Sequence, residues 1–122
     1  MAENKNFVIN VNSEGDVNIS EEVVAIIAGL GAIEAEGVDS LEGKLTAETI
    51  SKAGMGRLSK AVRVIEEAPD KLAVRVAINI KYGYEIPKVC GQVQEKVKSA
   101  IETMTGIEVL SVDVRIVAVT MA

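Results

Sequence analysis

Between Leu72 and Val119 the hydrophobic period changes twice, and this switch limits the folds open to the chain more than any other feature. Leu72, Val74, Val76, Ile78, Ile80 and Tyr82 alternate with Ala73, Arg75, Ala77, Asn79 and Lys81. A period of two over that length predicts a long strand with one face in a core and one facing out. Ile86, Val89, Cys90, Val93, Val97, Ile101 and Met104 then recur at helical spacing, with Lys88, Glu95, Lys98 and Glu102 on the polar side. That is an amphipathic helix, with Pro87 suited to its first turn and Gly106 to its left-handed cap. Leu110, Val112, Val114, Ile116 and Ala118 resume the alternation against Ser111, Asp113, Arg115, Val117 and Val119. The helix between the two strands is the crossover that returns the chain to the sheet.

Upstream, Ala61 to Glu66 reads as a strand, and Pro69-Asp70 turns it into a hairpin with the long strand. An earlier helix begins after Ser20, a good N-cap, with Glu21 and Glu22 at the positive end of its dipole. Val23 stands where a reciprocal capping box would need Glu or Gln. Val23, Ile26, Ile27, Leu30 and Ile33 share a face, and Gly37 is the expected stop. Gly29 and Gly31 weaken this helix intrinsically, so packing must hold it. Residues 38 to 60 are predicted to be a flexible connection with one short helix near Ala47 to Ala53. Phe7, Ile9 and Val11 alternate before a turn at Ser13-Glu14-Gly15-Asp16, and Val17 and Ile19 follow, which fits either a small hairpin or a loose arm. The sum is an α/β (α+β) chain: an αββαβ two-layer sandwich with a three-stranded mixed sheet and two main helices packed on one face. Residues 1–14 are expected to be an N-terminal arm or short strand, and 15–122 a single domain.

Composition narrows the chemistry. The chain has 122 residues, enough to bury roughly two-thirds of its unfolded surface around one core. That core must be aliphatic, because Phe7, Tyr82 and Tyr84 are the only aromatic residues. Few stacking side chains and a net charge of -5 both oppose nucleic-acid binding. There is no histidine, which removes the usual general base and the commonest metal ligand. No metal and no cofactor is expected. Cys90 is the lone cysteine, so no intrachain disulfide can form, which fits a reducing compartment. There is no run of about 20 apolar residues and the first residues are polar. The expected location is cytoplasmic, with any membrane recruitment supplied by a partner.

Individual features read modestly. Cys90 falls in an apolar stripe and is expected to be a structural thiol. Gly54-Met55-Gly56-Arg57 lacks the spacing of a phosphate loop. Glu34, Glu36, Asp39 and Glu42 read as a solvated acidic stretch without calcium-loop spacing. The outward sheet face is more informative. By parity it carries Arg63, Arg75, Lys81, Asp113 and Arg115, then Val117 and Val119. Basic groups beside outward valines make this face the candidate partner interface. The last strand also leaves a sheet edge for pairing with another chain. No catalytic residues are assigned.

Several stretches, taken in order, resemble the alkaline shock protein family, the general-stress and envelope-stress proteins of Gram-positive bacteria. They begin with Ile19-Ser20-Glu21-Glu22-Val23, Ile27-Ala28-Gly29-Leu30 and Glu36-Gly37-Val38. Leu58 to Val64, Lys81-Tyr82-Gly83 and Ile86-Pro87-Lys88-Val89 follow. Val93-Gln94-Glu95-Lys96-Val97, Glu102 to Val109 and Ser111-Val112-Asp113-Val114 complete the set. Members usually carry Gly at the place of Ala61 and Asn near Asp113. The resemblance spans roughly residues 15 to 119. It implies a non-enzymatic protein of cell-envelope homeostasis under stress that binds a membrane-anchored partner and itself, as a homo-oligomer. The alternative it implies is regulation of a metabolic enzyme such as acetyl-CoA carboxylase in fatty-acid synthesis.

Overall fold

Eleven residues, Lys71–Lys81, form the strand on which the rest of the sheet is built. A computed structural model describes residues 6–10 and 16–121. Its elements run β1 (Asn6–Asn10), β2 (Asp16–Ser20), α1 (Glu21–Glu34), β3 (Val38–Leu41), a 3-10 turn (Ile50–Lys52), α2 (Gly54–Ala61), β4 (Val62–Ala68), β5 (Lys71–Lys81), α3 (Ile86–Thr105) and β6 (Glu108–Thr120). β1 and β2 pair antiparallel as a two-stranded sheet of their own. Of the expected turn, Asp16 is the first residue of β2, while residues 13–15 and the boundary between residues 14 and 15 lie outside the described residues.

The main sheet is the expected mixed one, with helices on one face, and it has a fourth strand. β6 lies parallel to β5 along its whole length, from Lys71↔Glu108 to Lys81↔Thr120. Parallel neighbours need a long crossover, and α3 provides it. The opposite edge of β5 is shared by two antiparallel strands placed end to end. β4 covers Lys71 to Val76, and β3 covers Ile78 to Ile80. β3 was hidden in the sequence because it is short, contains Asp39, and has a bulge between Val38 and Ser40 that breaks the alternation.

The alternation of β5 places Leu72, Val74, Val76, Ile78 and Ile80 under the helices, each at most 1% exposed. Val93, Val97 and Ile101 of α3 and Val24, Ala28 and Ala32 of α1 close over them, all fully buried. Each buried Val, Leu or Ile side chain contributes about 1.5–3 kcal/mol of transfer energy. Ser20 accepts the Val23 amide at 3.2 Å and caps α1 as expected. α1 touches α3, β3, β4, β5 and α2, which is why it is apolar around most of its circumference. Its glycines fit that crowding. A Cβ on Gly29 would overlap Ile50 Cδ1, and one on Gly31 would stand 3.0 Å from the Lys96 carbonyl of α3.

Three expectations change. Residues 38 to 60 hold β3, the 3-10 turn and most of α2, so the short helix expected near Ala47 lies further on. Leu58 anchors α2 in the core, and Arg57 Nη2 donates to the Gly43 carbonyl at 3.2 Å. The expected strand start at Ala61 is therefore the last residue of α2. In α3, Ile86 and Met104 were expected on the buried stripe but are exposed. The buried line runs instead through Val89, Val93, Val97, Ile101 and Thr105. Thr105 Oγ1 takes its place there by donating to the Ile101 carbonyl at 2.7 Å and accepting from the Ile107 amide at 3.1 Å.

β6 departs most from simple parity. Its register against β5 skips Leu110 and again skips Val117. Each skip is a bulge, which adds a residue and changes which residues face the core. Val109, not Leu110, takes the first core position, and Ala118 is exposed.

Candidate functional site

The sheet face away from the helices gathers most of the predicted interface. Arg63, Arg75 and Asp113 are register partners and form one row across β4, β5 and β6. Arg75 Nε lies 3.9 Å from Asp113 Oδ2. One step further on, Arg115 pairs with Ala77, and its Nη2 donates to Glu42 Oε1 at 3.0 Å. Glu42 directly follows β3, and its amide donates to the Ala77 carbonyl at 2.9 Å. Lys60, at the end of α2, joins these residues around an open groove of about 570 Å³.

The groove brings together four cations, Lys60, Arg63, Arg75 and Arg115, and two carboxylates, Glu42 and Asp113. Both carboxylates already face an arginine. Arg63 and Arg75 stand directly opposite each other, a like-charge pairing that disfavours the free sheet. The other predicted interface residues are not brought into this group. Lys81 sits at the far end of β5 beside Thr120. Val117 occupies a bulge and is 45% exposed. Val119 aligns with Ile80, whose side chain is buried on the helix side. The bulge at Val117 has reversed the parity, so Val119 does not share the open face with Arg115 as simple alternation predicted.

Two groups were not read as site residues. Glu42 appeared only as part of an acidic stretch, and its approach to Arg115 depends on the undetected β3. Tyr82, Tyr84, Ile86 and Met121 are exposed near the far end of β5 and β6.

The remaining polar chemistry is structural. Glu102 Oε2 accepts from Lys98 Nζ at 2.9 Å and from the Val109 amide at 3.0 Å, joining the end of α3 to the start of β6. The Val109 amide, with the Lys98 ammonium, holds this carboxyl below the usual glutamate range. Lys71 Nζ bonds Glu108 Oε1 at 2.8 Å, and that hydrogen bond raises its pKa. Partial burial pushes the Cys90 thiol up, which suits an inert thiol. Gly54, Gly56 and Arg57 belong to α2. Among the described residues no three acidic or cysteine side chains gather as a metal site.

A protein-family model matches residues 9–121, and its description is the alkaline shock protein 23 family, with a cell envelope-related function. The chain belongs to the alkaline shock protein family. The family resemblance carried by the sequence motifs is therefore established. Family relatives include the uncharacterized protein YqhY of Bacillus subtilis (strain 168), 30% identical over 86% of this chain and 77% of that protein. The uncharacterized protein YloU of the same organism is 31% identical over 82% of this chain and 84% of its own length. Among solved structures, variants of MamM CTD superpose with a TM-score of 0.49 at 13% identity, over 80% of this chain and 94% of theirs. That likeness bears on neither partner nor chemistry. The alkaline shock family description names a setting, the cell envelope, and no reaction. Among the described residues no helix is long and apolar enough to cross a membrane.

Proposed function

We propose that this chain is a non-enzymatic adaptor of the cell envelope in the stress response. It acts on the cytoplasmic side, binds a membrane-anchored protein through the open face of its sheet, and associates with copies of itself. The observation that carries the reading is the direct opposition of Arg63 and Arg75 in a chain of net charge -5. Opposed like charges cost the free sheet something on the order of 0.2–1 kcal/mol. An acidic segment laid across the groove reverses that sign. The planar guanidinium groups suit two-point pairing with carboxylates. The family's envelope-related description supports the setting.

Affinity capture from detergent-solubilised bacterial membranes tests this, with the full chain and its Arg63→Gln/Arg75→Gln variant as baits. The wild-type bait should retain a membrane protein, and the variant should retain about tenfold less while melting no lower, and up to a few degrees higher as the like-charge pair is relieved. Retention of no membrane protein, or equal retention by both baits, defeats the reading. So does retention of only a metabolic enzyme, which is the outcome expected of an enzyme regulator.

A further inference from the structure

We propose that β6 pairs edge to edge with β6 of a second copy, antiparallel, about a two-fold axis through Val114. This rests on the self-association part of the proposed function and gives it a place and a register. Among the described residues β5 is the only strand that pairs with β6, and β1 and β2 form a separate sheet. Side chains of α3 reach the start of β6, Gln94 Nε2 donating to the Val112 carbonyl at 3.0 Å and Lys98 Nζ to the Val109 carbonyl at 2.9 Å. From Asp113 onward no other described strand covers this edge, and such an edge is a template for another chain, whose strand would displace Gln94 from the Val112 carbonyl.

The charges of β6 choose the partner and the register. A two-fold axis normal to the sheet keeps both sets of helices on one side, and it sets residue pairs symmetrically about its own position. With the axis at Val114, Asp113 faces the partner's Arg115 and Arg115 faces the partner's Asp113. Val112 then faces the partner's Ile116, and Leu110 faces the partner's Ala118. Moving the axis to Asp113 sets two aspartates opposite each other. Moving it to Arg115 sets two arginines opposite each other. Of these registers only the one at Val114 sets Asp113 and Arg115 each against its complement, while Glu108 keeps its own Lys71. Val114 is also the midpoint of Glu108–Thr120. The central pairs lie wholly between the two bulges, where β6 runs without interruption.

Both charges are available for the pairing, because the side chains of Asp113 and Arg115 are 78% and 73% exposed. In the pair, Arg115 stands between its own Glu42 and the partner's Asp113. The result is a closed two-fold dimer whose sheet runs continuously through both copies.

Sedimentation equilibrium of the full chain and its charge variants tests the proposal. The wild-type chain should be a dimer. Asp113→Arg and Arg115→Asp should each weaken it about tenfold or more, because each creates two like-charge pairs. The double variant Asp113→Arg/Arg115→Asp should recover wild-type association. An equal mixture of the two single variants should form a heterodimer, since every cross-chain pair is then opposite in sign. Changed contacts to Arg75 and Glu42 are present in monomer and dimer alike and cancel in the association constant. The mixture keeps the test valid if the double variant folds poorly. A chain that is monomeric at all concentrations overturns both the pairing and self-association, and leaves capture of a membrane partner as a separate question. A dimer indifferent to the single changes, or one that neither the double variant nor the mixture restores, overturns this pairing alone.

Discussion

Arg115 reaches across the small side chain of Ala77 to Glu42, 3.0 Å away, and so ties the outer strand β6 to the far side of β5. Ala77 is only 5% exposed although it lies on the open face. The Arg115 side chain is 73% exposed and that of Glu42 is 32% exposed, so solvent screens the pair. Glu42→Gln should lower unfolding stability by about 0.2–1 kcal/mol at low salt. The difference should fade near about 1 M salt, where the screening length is about 3 Å. Urea titrations at both ionic strengths check this.

Asn79 should be far less tolerant. It is buried on β5, and its Nδ2 donates to Ser40 Oγ at 3.0 Å and to the Leu41 carbonyl at 3.1 Å. These bonds hold β3 against β5 next to the bulge at Ser40. Asn79→Ala leaves Ser40 Oγ without its donor and the Leu41 carbonyl with the Lys44 amide alone, and should cost about 1–3 kcal/mol. Loss of amide-exchange protection in β3 ahead of β4 would confirm where the damage falls.

Added methyl groups in the helical layer should reveal how close its contacts are. Gly37 has φ +97°, and a Cβ there would stand 2.8 Å from Val89 Cγ2 and 2.9 Å from the Tyr84 ring. Gly37→Ala combines backbone strain with overpacking and should cost about 2 kcal/mol or more. At Gly29 a methyl gains about 1 kcal/mol of helix propensity but displaces the fully buried Ile50. Overpacking of about 1–3 kcal/mol outweighs or cancels that gain. Gly56→Ala meets nothing within 4 Å and should be neutral or stabilising. Thermal midpoints of the three variants should therefore fall in the order Gly56→Ala, Gly29→Ala, Gly37→Ala.

Glu102 gives part of the stability an acid limit. The Val109 amide and Lys98 lower its folded-state pKa. Its contribution is complete above the unfolded glutamate value of about 4.3 and disappears as pH falls through the lower folded value. Glu102→Gln lacks the charge at every pH. Urea midpoints of wild type and variant should differ near neutrality and converge as the pH drops below about 4. Curves that remain parallel into acid would show that the charge contributes nothing.

What could be read in advance follows from how local each signal was. The β5–α3–β6 unit and the Ser20 and Gly106 caps come from periodicity and single-residue backbone preferences, and the structure contains them. β3 is held by Asn79, a residue 38 or 39 positions away from its partners. No local pattern announces such a bond. α2 carries two glycines and depends on the burial of Leu58, so tertiary packing overrides its propensity. On the open face, parity placed Arg63, Arg75, Asp113 and Arg115 correctly, because they precede the second bulge. It failed at Val119, one bulge too late. Glu42 went unread because its role depends on the strand that parity missed.

The end-to-end placement of β3 and β4 has a consequence for how the chain can be divided. The segment between them leaves one edge of β5 and returns to that same edge, and Gly43 and Lys44 at its start are exposed with φ +81° and +61°. A nick there would leave each fragment carrying strands that dock on β5. A chain nicked at Gly43-Lys44 should on this ground reassemble from its two fragments, and a reporter grafted there would sever no strand.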